Sequence, residues 1–190
     1  MSDLSPASVE PLLRGRLGRP YRFVPECEST QALLRPDEPE GATVATDLQT
    51  RGRGRLGRSW EAPAGRALLF SVLLRPLPPL PRWPELSRVA GEAVAAALPL
   101  EATVAHPNDV LVAGRKLAGI LPEARDGRVV LGIGVNVNQR LEDLPTQAAK
   151  PPTSLRVETG RDWPRAPLLA AILLELERRY DRWQQLRAEP

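Results

Sequence analysis

The sequence predicts an α+β domain built on a mixed, mostly antiparallel sheet with helices layered against it. Three observations predict it. The run Ala67–Leu74 is apolar on both faces, as a doubly covered central strand is. Ala113-Gly114 and Asp126-Gly127 are hairpin signals between strand-like segments. Apolar residues recur at helical spacing over residues 84–98 and again over 168–186.

In chain order, residues 8–14 predict a short helix carrying Val9, Leu12 and Leu13. Residues 21–24 read as a strand with aromatic and β-branched side chains. Ser29 or Thr30 caps a helix that ends near Pro36. Residues 41–48 form a second strand that leads into an arginine-rich loop. After the strand Ala67–Leu74 comes a proline-rich linker, residues 76–84, and then a helix with proline in its first turn and the stripe Leu86, Val89, Ala93, Val94, Ala97. Strands at Asp109–Val112, 116–123 and 128–137 make an antiparallel meander. The last of these alternates. Leu131, Ile133, Val135 and Val137 share one face, and Gly132, Gly134, Asn136 and Asn138 the other. A face of glycine and asparagine leaves room for something to approach the backbone closely. Residues 139–160 are loop with a short helix, and Leu169, Ile172, Leu173, Leu176, Tyr180 and Trp183 mark the final helix.

With 42% hydrophobic and 26% charged residues, the 190-residue chain has a folded composition. It is long enough for one domain with a real core, and a single domain over residues 1–190 is expected. Net charge is +3, carried almost wholly by arginine; Lys116 and Lys150 are the only lysines. That mild excess suits an anionic ligand and does not demand nucleic acid. Cys27 is the single cysteine, so no internal disulfide forms, which fits a reducing compartment. No apolar run spans a bilayer and the N-terminus lacks the order of a signal peptide, so a cytoplasmic protein is expected.

The chemistry concentrates in Gln49-Thr50-Arg51-Gly52-Arg53-Gly54-Arg55-Leu56-Gly57-Arg58-Ser59-Trp60, with four arginines and three glycines. Glycines let backbone approach a ligand, and guanidinium forks match carboxylates and phosphates. Composition alone is a weak signal here, because Arg14-Gly15-Arg16-Leu17-Gly18-Arg19 repeats the motif without its flanking Gln and Trp. The first copy reads as a helix end plus turn.

Four blocks together resemble the biotin protein ligases: Glu28-Ser29-Thr30, the Gln49-to-Trp60 loop, Pro107-Asn108-Asp109 with Lys116-Leu117-Ala118-Gly119-Ile120-Leu121, and Gly132-Ile133-Gly134-Val135-Asn136-Val137-Asn138. The resemblance spans most of residues 21–186 and implies helices packed on one face of the sheet. It implies that biotin's carboxylate attacks the α-phosphorus of ATP, giving biotinyl-5′-AMP, and that a lysine of a biotin carboxyl carrier protein then takes the biotinyl group. Two anions must meet, so positive charge must screen them. The labile adenylate needs water excluded, which a loop ordering over it provides.

By that resemblance Lys116 and Arg55 are catalytic. Ser29, Thr30, Gln49, Arg53 and Gly119 bind biotin. Arg58, Trp60, Asn108 and Asn136 bind the nucleotide, with Asn136 at the adenine edge, and Asp109 ligates Mg2+. Taken alone, Lys116 reads as a surface lysine, the arginines as a solvated turn, Ser29 or Thr30 as a helix cap and Trp60 as core packing. Arg51 is given to solvent and Gln31 is left without a role. The chain departs from the family pattern at Ala105-His106, where lysine and tryptophan are usual; His106 reads as structural filler. Nothing N-terminal resembles a helix-turn-helix, so no DNA binding is expected. The expected form is a minimal catalytic core without the small β-barrel of many relatives, and the resemblance implies a homodimer. The alternatives are a lipoate or octanoate ligase or transferase of the same fold, and an Arg-Gly nucleic-acid-binding module. The second is disfavoured because aromatics are 4% of the chain and only Trp60 flanks the loop.

Overall fold

The structure, a computed structural model, describes residues 2–77, 80–146 and 148–188. Part of the predicted linker at 76–84 therefore lies outside the described residues. Within them, seven strands form one sheet in the order β1-β2-β3-β7-β6-β5-β4. These are β1 Tyr21–Cys27, β2 Thr43–Gln49, β3 Ala67–Leu74, β4 Thr103–Ala105, β5 Asp109–Val112, β6 Arg115–Arg125 and β7 Arg128–Asn136. Only β1 and β2 run parallel; every other pairing is antiparallel.

Every residue of β3 is buried, as its two-faced apolar pattern requires. Alternation sorts its side chains. Leu68, Phe70, Val72 and Leu74 enter the main core. Leu73 joins a smaller cluster with Leu34, Ala42, Val44 and Val130 on the other face. Two helices cover the main core and touch each other, α2 Leu86–Ala97 and α4 Arg165–Ala188. The predicted stripe of α4 is buried throughout, Leu169, Ile172, Leu176 and Tyr180 completely. The helices thus lie on one face of a mixed sheet, and the opposite face is left for a site. No helix among the described residues is long and apolar enough to cross a membrane.

Both hairpin signals hold. Ala113 and Gly114 have φ of 48° and 76°, and Asp126 and Gly127 have 50° and 74°, the left-handed pair that a two-residue turn requires. Other boundaries differ from expectation. The first helix is only α1 Pro6–Val9, continued by a tighter turn Glu10–Leu12, because Pro11 has no N–H to sustain an α-helix. β1 runs on through Pro25, which an edge strand tolerates. α2 starts at Leu86, and Pro84 falls in the preceding 3-10 turn Leu80–Glu85. The turn Thr30–Leu33 is 3-10, and neither Ser29 nor another side chain caps it, so the expected cap is not made. The loop after β7 carries one short helix, α3 Leu155–Thr159, capped by Ser154.

Candidate functional site

The uncovered face of the sheet forms a cleft under the arginine loop. At its inner end β2 delivers Gln49, whose side-chain oxygen accepts from the Thr30 backbone N–H at 2.9 Å and from Thr30 Oγ1 at 3.2 Å. Thr30 Oγ1 also shares a 2.7 Å hydrogen bond with Ser71 Oγ on β3. Ser29, Thr30 and Ser71 are all buried. The hydroxyls are thus gathered into a polar pocket floor. Ser71 carried a readable signal, as the one polar residue in an otherwise apolar strand.

The bare face of β7 is occupied by two side chains. Gln31 lies across Gly132 and donates from Nε2 to the Leu121 carbonyl at 3.1 Å. The Trp60 indole lies across Gly134 and, on β6, Gly119. A Cβ at either glycine would come within 2.7 or 2.8 Å of the ring. The glycines are therefore required by close approach, and Gln31 gains the role it lacked. Trp60 Nε1 is buried with no hydrogen-bond partner, and the Lys116 ammonium stands 5.5 Å from the ring centroid, within cation–π range.

The loop is folded onto itself and over the cleft. Its limbs pair at Arg53 and Ser59, and the N–H groups of Gly54 and Trp60 donate to Arg58 and Gly52 carbonyls at 2.7 and 2.9 Å. The tip turns through Leu56 and Gly57, both at positive φ. Arg53 grips Glu123 on β6 with two contacts of 2.8 and 2.9 Å. Arg55 donates to Asn108 Oδ1 at 3.4 Å, and Asn108 in turn donates to the Ile120 carbonyl at 3.1 Å. Arg58 is exposed and makes no ion pair among the described residues. Arg51 meets only Glu28, at 3.4 Å in solvent, as expected of it.

Lys116 is held by Asp109, Nζ to Oδ1 at 2.8 Å. The other oxygen of Asp109 accepts from Lys150 at 2.7 Å. Burial would raise the Asp109 carboxyl, but hydrogen bonds and charge from the two lysines outweigh it and hold it below the usual range. A lowered folded pKa means that the stabilisation is present above the unfolded value of about 3.9 and is lost as pH falls through the folded one. In this structure both oxygens of Asp109, the predicted magnesium ligand, are engaged by ammonium groups. Among the described residues no cluster of three metal-capable side chains exists.

Two further expectations change. Asn136 donates to the Thr153 carbonyl at 2.9 Å and accepts from Gln139 at 2.8 Å, so most of its amide ties down the loop after β7. His106 is exposed and lines no part of the cleft, so it is not a filler. Lys150, Glu123 and Gln139 were missed. Lys150 alone carried a signal, as one of two lysines in an arginine-rich chain.

The cleft has two chambers. The inner is lined by Ser29, Thr30, Gln49, Gly119, Gly132 and Gly134. The outer is lined by Asn136, Pro145, Thr146, Ala148, Ala149, Lys150 and Pro152. Arg55, Arg58, Trp60, Asn108, Asp109 and Lys116 border both. An acid seated inside and a phosphate seated outside would meet at Lys116.

Residues 25–139 match the profile of the biotin/lipoate A/B protein ligase family. The chain is 38% identical over 162 residues to the bifunctional ligase/repressor BirA of Bacillus spizizenii, covering 80% of this chain and 50% of that protein. It is 40% identical over 154 residues to the biotin–[acetyl-CoA-carboxylase] ligase of Mycobacterium tuberculosis, covering 76% and 56%. Its fold matches the Aquifex aeolicus biotin protein ligase solved with biotin and ATP at a TM-score of 0.77 and 33% identity, covering 86% of this chain and 71% of that one. The chain spans about half the length of the curated relatives it matches.

Proposed function

Because the chain belongs to the biotin/lipoate A/B protein ligase family, we propose that it activates biotin with ATP as biotinyl-5′-AMP and passes the biotinyl group to a lysine of a biotin carboxyl carrier protein. The observation that carries this reading is Lys116 at the border of the two chambers. A compact ammonium there can touch a carboxylate on one side and an α-phosphate on the other.

In this reading biotin's ureido ring sits at the inner end, where Ser29, Thr30 and Gln49 offer hydroxyl and amide partners. The valeryl chain runs beside Trp60, which itself covers Gly119 and Gly134, so its carboxylate reaches Lys116. Arg55 and Arg58 offer guanidinium donors to the charge that gathers on the α-phosphate, and Asn108 holds Arg55. Arg53 fastens the loop to Glu123 rather than gripping biotin with its side chain. Asn136 would offer an adenine edge its second amide hydrogen and the remaining lone pair of Oδ1. The closed loop keeps water from the mixed anhydride. Magnesium would arrive on the ATP phosphates, which with water fill most of its coordination positions. We extend the reading to a protein working in the cytoplasm and as a homodimer.

The same-fold alternative, a lipoate or octanoate enzyme, differs in the acid. Its cysteine-dependent form is disfavoured: Cys27 lines neither chamber, and burial pushes its thiol up, away from the reactive thiolate. Pyrophosphate release from ATP should be driven by biotin and not by lipoate. Lys116→Ala should cut it by roughly 10³-fold with an unchanged melting temperature. Release driven by lipoate alone, or near-wild-type rates in that variant, would overturn the reading. Calorimetric titration with biotin, with and without ATP, gives the order of binding.

A further inference from the structure

Asp109 is one carboxylate shared by two ammonium groups. One lysine would neutralise it. The second leaves the cluster with a net positive charge, beside Arg55 and Arg58. Around the outer chamber four cationic side chains, Arg55, Arg58, Lys116 and Lys150, face two carboxylates, Glu61 and Asp109. Like charges gathered on one wall repel unless an anion joins them.

The second lysine is also placed by the backbone. The Lys116 N–H donates to the Pro151 carbonyl at 2.8 Å, and the Thr153 N–H donates back to the Lys116 carbonyl at 2.9 Å. The segment after Lys150 thus pairs with the strand residue that carries Lys116, as a parallel bridge from Lys116 to Pro152. Pro151 and Pro152 stiffen that segment, and Asn136 anchors its end through the Thr153 carbonyl. The two lysines therefore ride on neighbouring, hydrogen-bonded backbones. Lys116 borders both chambers, whereas Lys150 lines only the outer one.

We propose that Lys150 is a second anion-binding cation of this site, which leaves Asp109 to hold the leaving-group phosphates of the nucleotide in the outer chamber. The proposal rests on the adenylation reading. In that step a carboxylate oxygen bonds to the α-phosphorus and the bond from phosphorus to the oxygen bridging to the β-phosphate breaks. The electron pair departs on pyrophosphate, and no proton moves. Lys116 serves the bond that forms, and Lys150 faces the charge that grows on the departing group. Asp109 is the anion that parks both ammonium groups until the nucleotide arrives.

The test uses Lys150→Met and Lys150→Arg in the full chain. Calorimetric titration with inorganic pyrophosphate, a probe independent of which acid is activated, should weaken roughly tenfold in Lys150→Met and recover in large part in Lys150→Arg. Biotin affinity without nucleotide should stay within about twofold, because the inner chamber is untouched. In pyrophosphate-release assays Lys150→Met should raise the KM for ATP and lower kcat by roughly tenfold together. Unchanged pyrophosphate affinity in Lys150→Met overturns the proposal, as does an equal loss in Lys150→Arg. If the wild type releases no pyrophosphate with biotin but the titration still separates Met from Arg, the adenylation reading fails and the anion site stands.

Discussion

The chain carries the hexapeptide Arg-Gly-Arg-Leu-Gly-Arg twice, and the two copies have opposite fates. In the first, Leu17 is buried to 1% exposure and the Gly18 N–H donates to the Gly41 carbonyl at 2.8 Å. Glu177 of α4 accepts the backbone N–H groups of Arg16 and Leu17 at 2.7 and 2.8 Å, and its carboxylate lies against Gly15, where a Cβ would have to push it aside. The Arg16 guanidinium is taken by Asp181, Glu177 and Glu40. In the second copy, Leu56 is 86% exposed and nothing lies within 4 Å of where a Cβ on Gly57 would stand. Among the described residues, Arg53 meets one carboxylate, Glu123, and Arg55 and Arg58 meet none. The same letters make a structural turn where a helix brings acids and a buried slot for the leucine. They make an exposed cationic loop over the cleft where a single acid, Glu123, and no slot for the leucine are supplied. An arginine motif is read by counting the anions the fold gives it.

The largest test of that contrast is kinetic. Arg55→Ala should slow biotin-driven pyrophosphate release by roughly 10²-fold, as loss of one donor to a developing anion does. Arg16→Ala should leave the rate within about twofold, and its half-exposed ion pairs should cost less than about 1 kcal/mol of stability. Equal kinetic losses in the two variants would dissolve the distinction. The leucines reverse the order. Leu17→Ala should destabilise by about 2–5 kcal/mol, the range for a truncated core leucine, whereas Leu56→Ala should stay within about 0.5 kcal/mol. Urea denaturation followed by circular dichroism checks both.

These outcomes bear on what a reader of the sequence can see. The meander, the central strand and the final helix were legible because period and turn chemistry are local signals. The bare face of β7 was legible as a place of close approach, although its occupants were not. That Gln31 lies on Gly132 and Trp60 on Gly134 depends on loops folding back across the sheet. Lys116, Arg55 and Thr30 were found through motif company, and the cleft does gather them. Lys150 could not be placed, because its partner Asp109 is 41 residues away and the link is a loop paired to β6. For the same reason Asp109 reads alone as a metal ligand, and in the fold as an anion already engaged by two cations.

The smallest effect concerns the one arginine of the second copy that resembles the first. Arg53 and Glu123 form a two-contact pair, but their side chains are 47% and 39% exposed. Solvent screens such a pair, so it should contribute at most about 1 kcal/mol to holding the lid down. A lid that opens a few times more often lowers the fraction of protein ready to bind, and apparent affinity falls by that fraction. Chemistry in the closed state is unaffected. Glu123→Gln should therefore raise the KM for biotin by about two- to fivefold, leave kcat near wild type and barely move the melting temperature. A kcat loss comparable to that of Arg55→Ala would mean that Arg53 and Glu123 shape the reacting centre itself. The second copy would then have a structural half and a chemical half joined at Gly54.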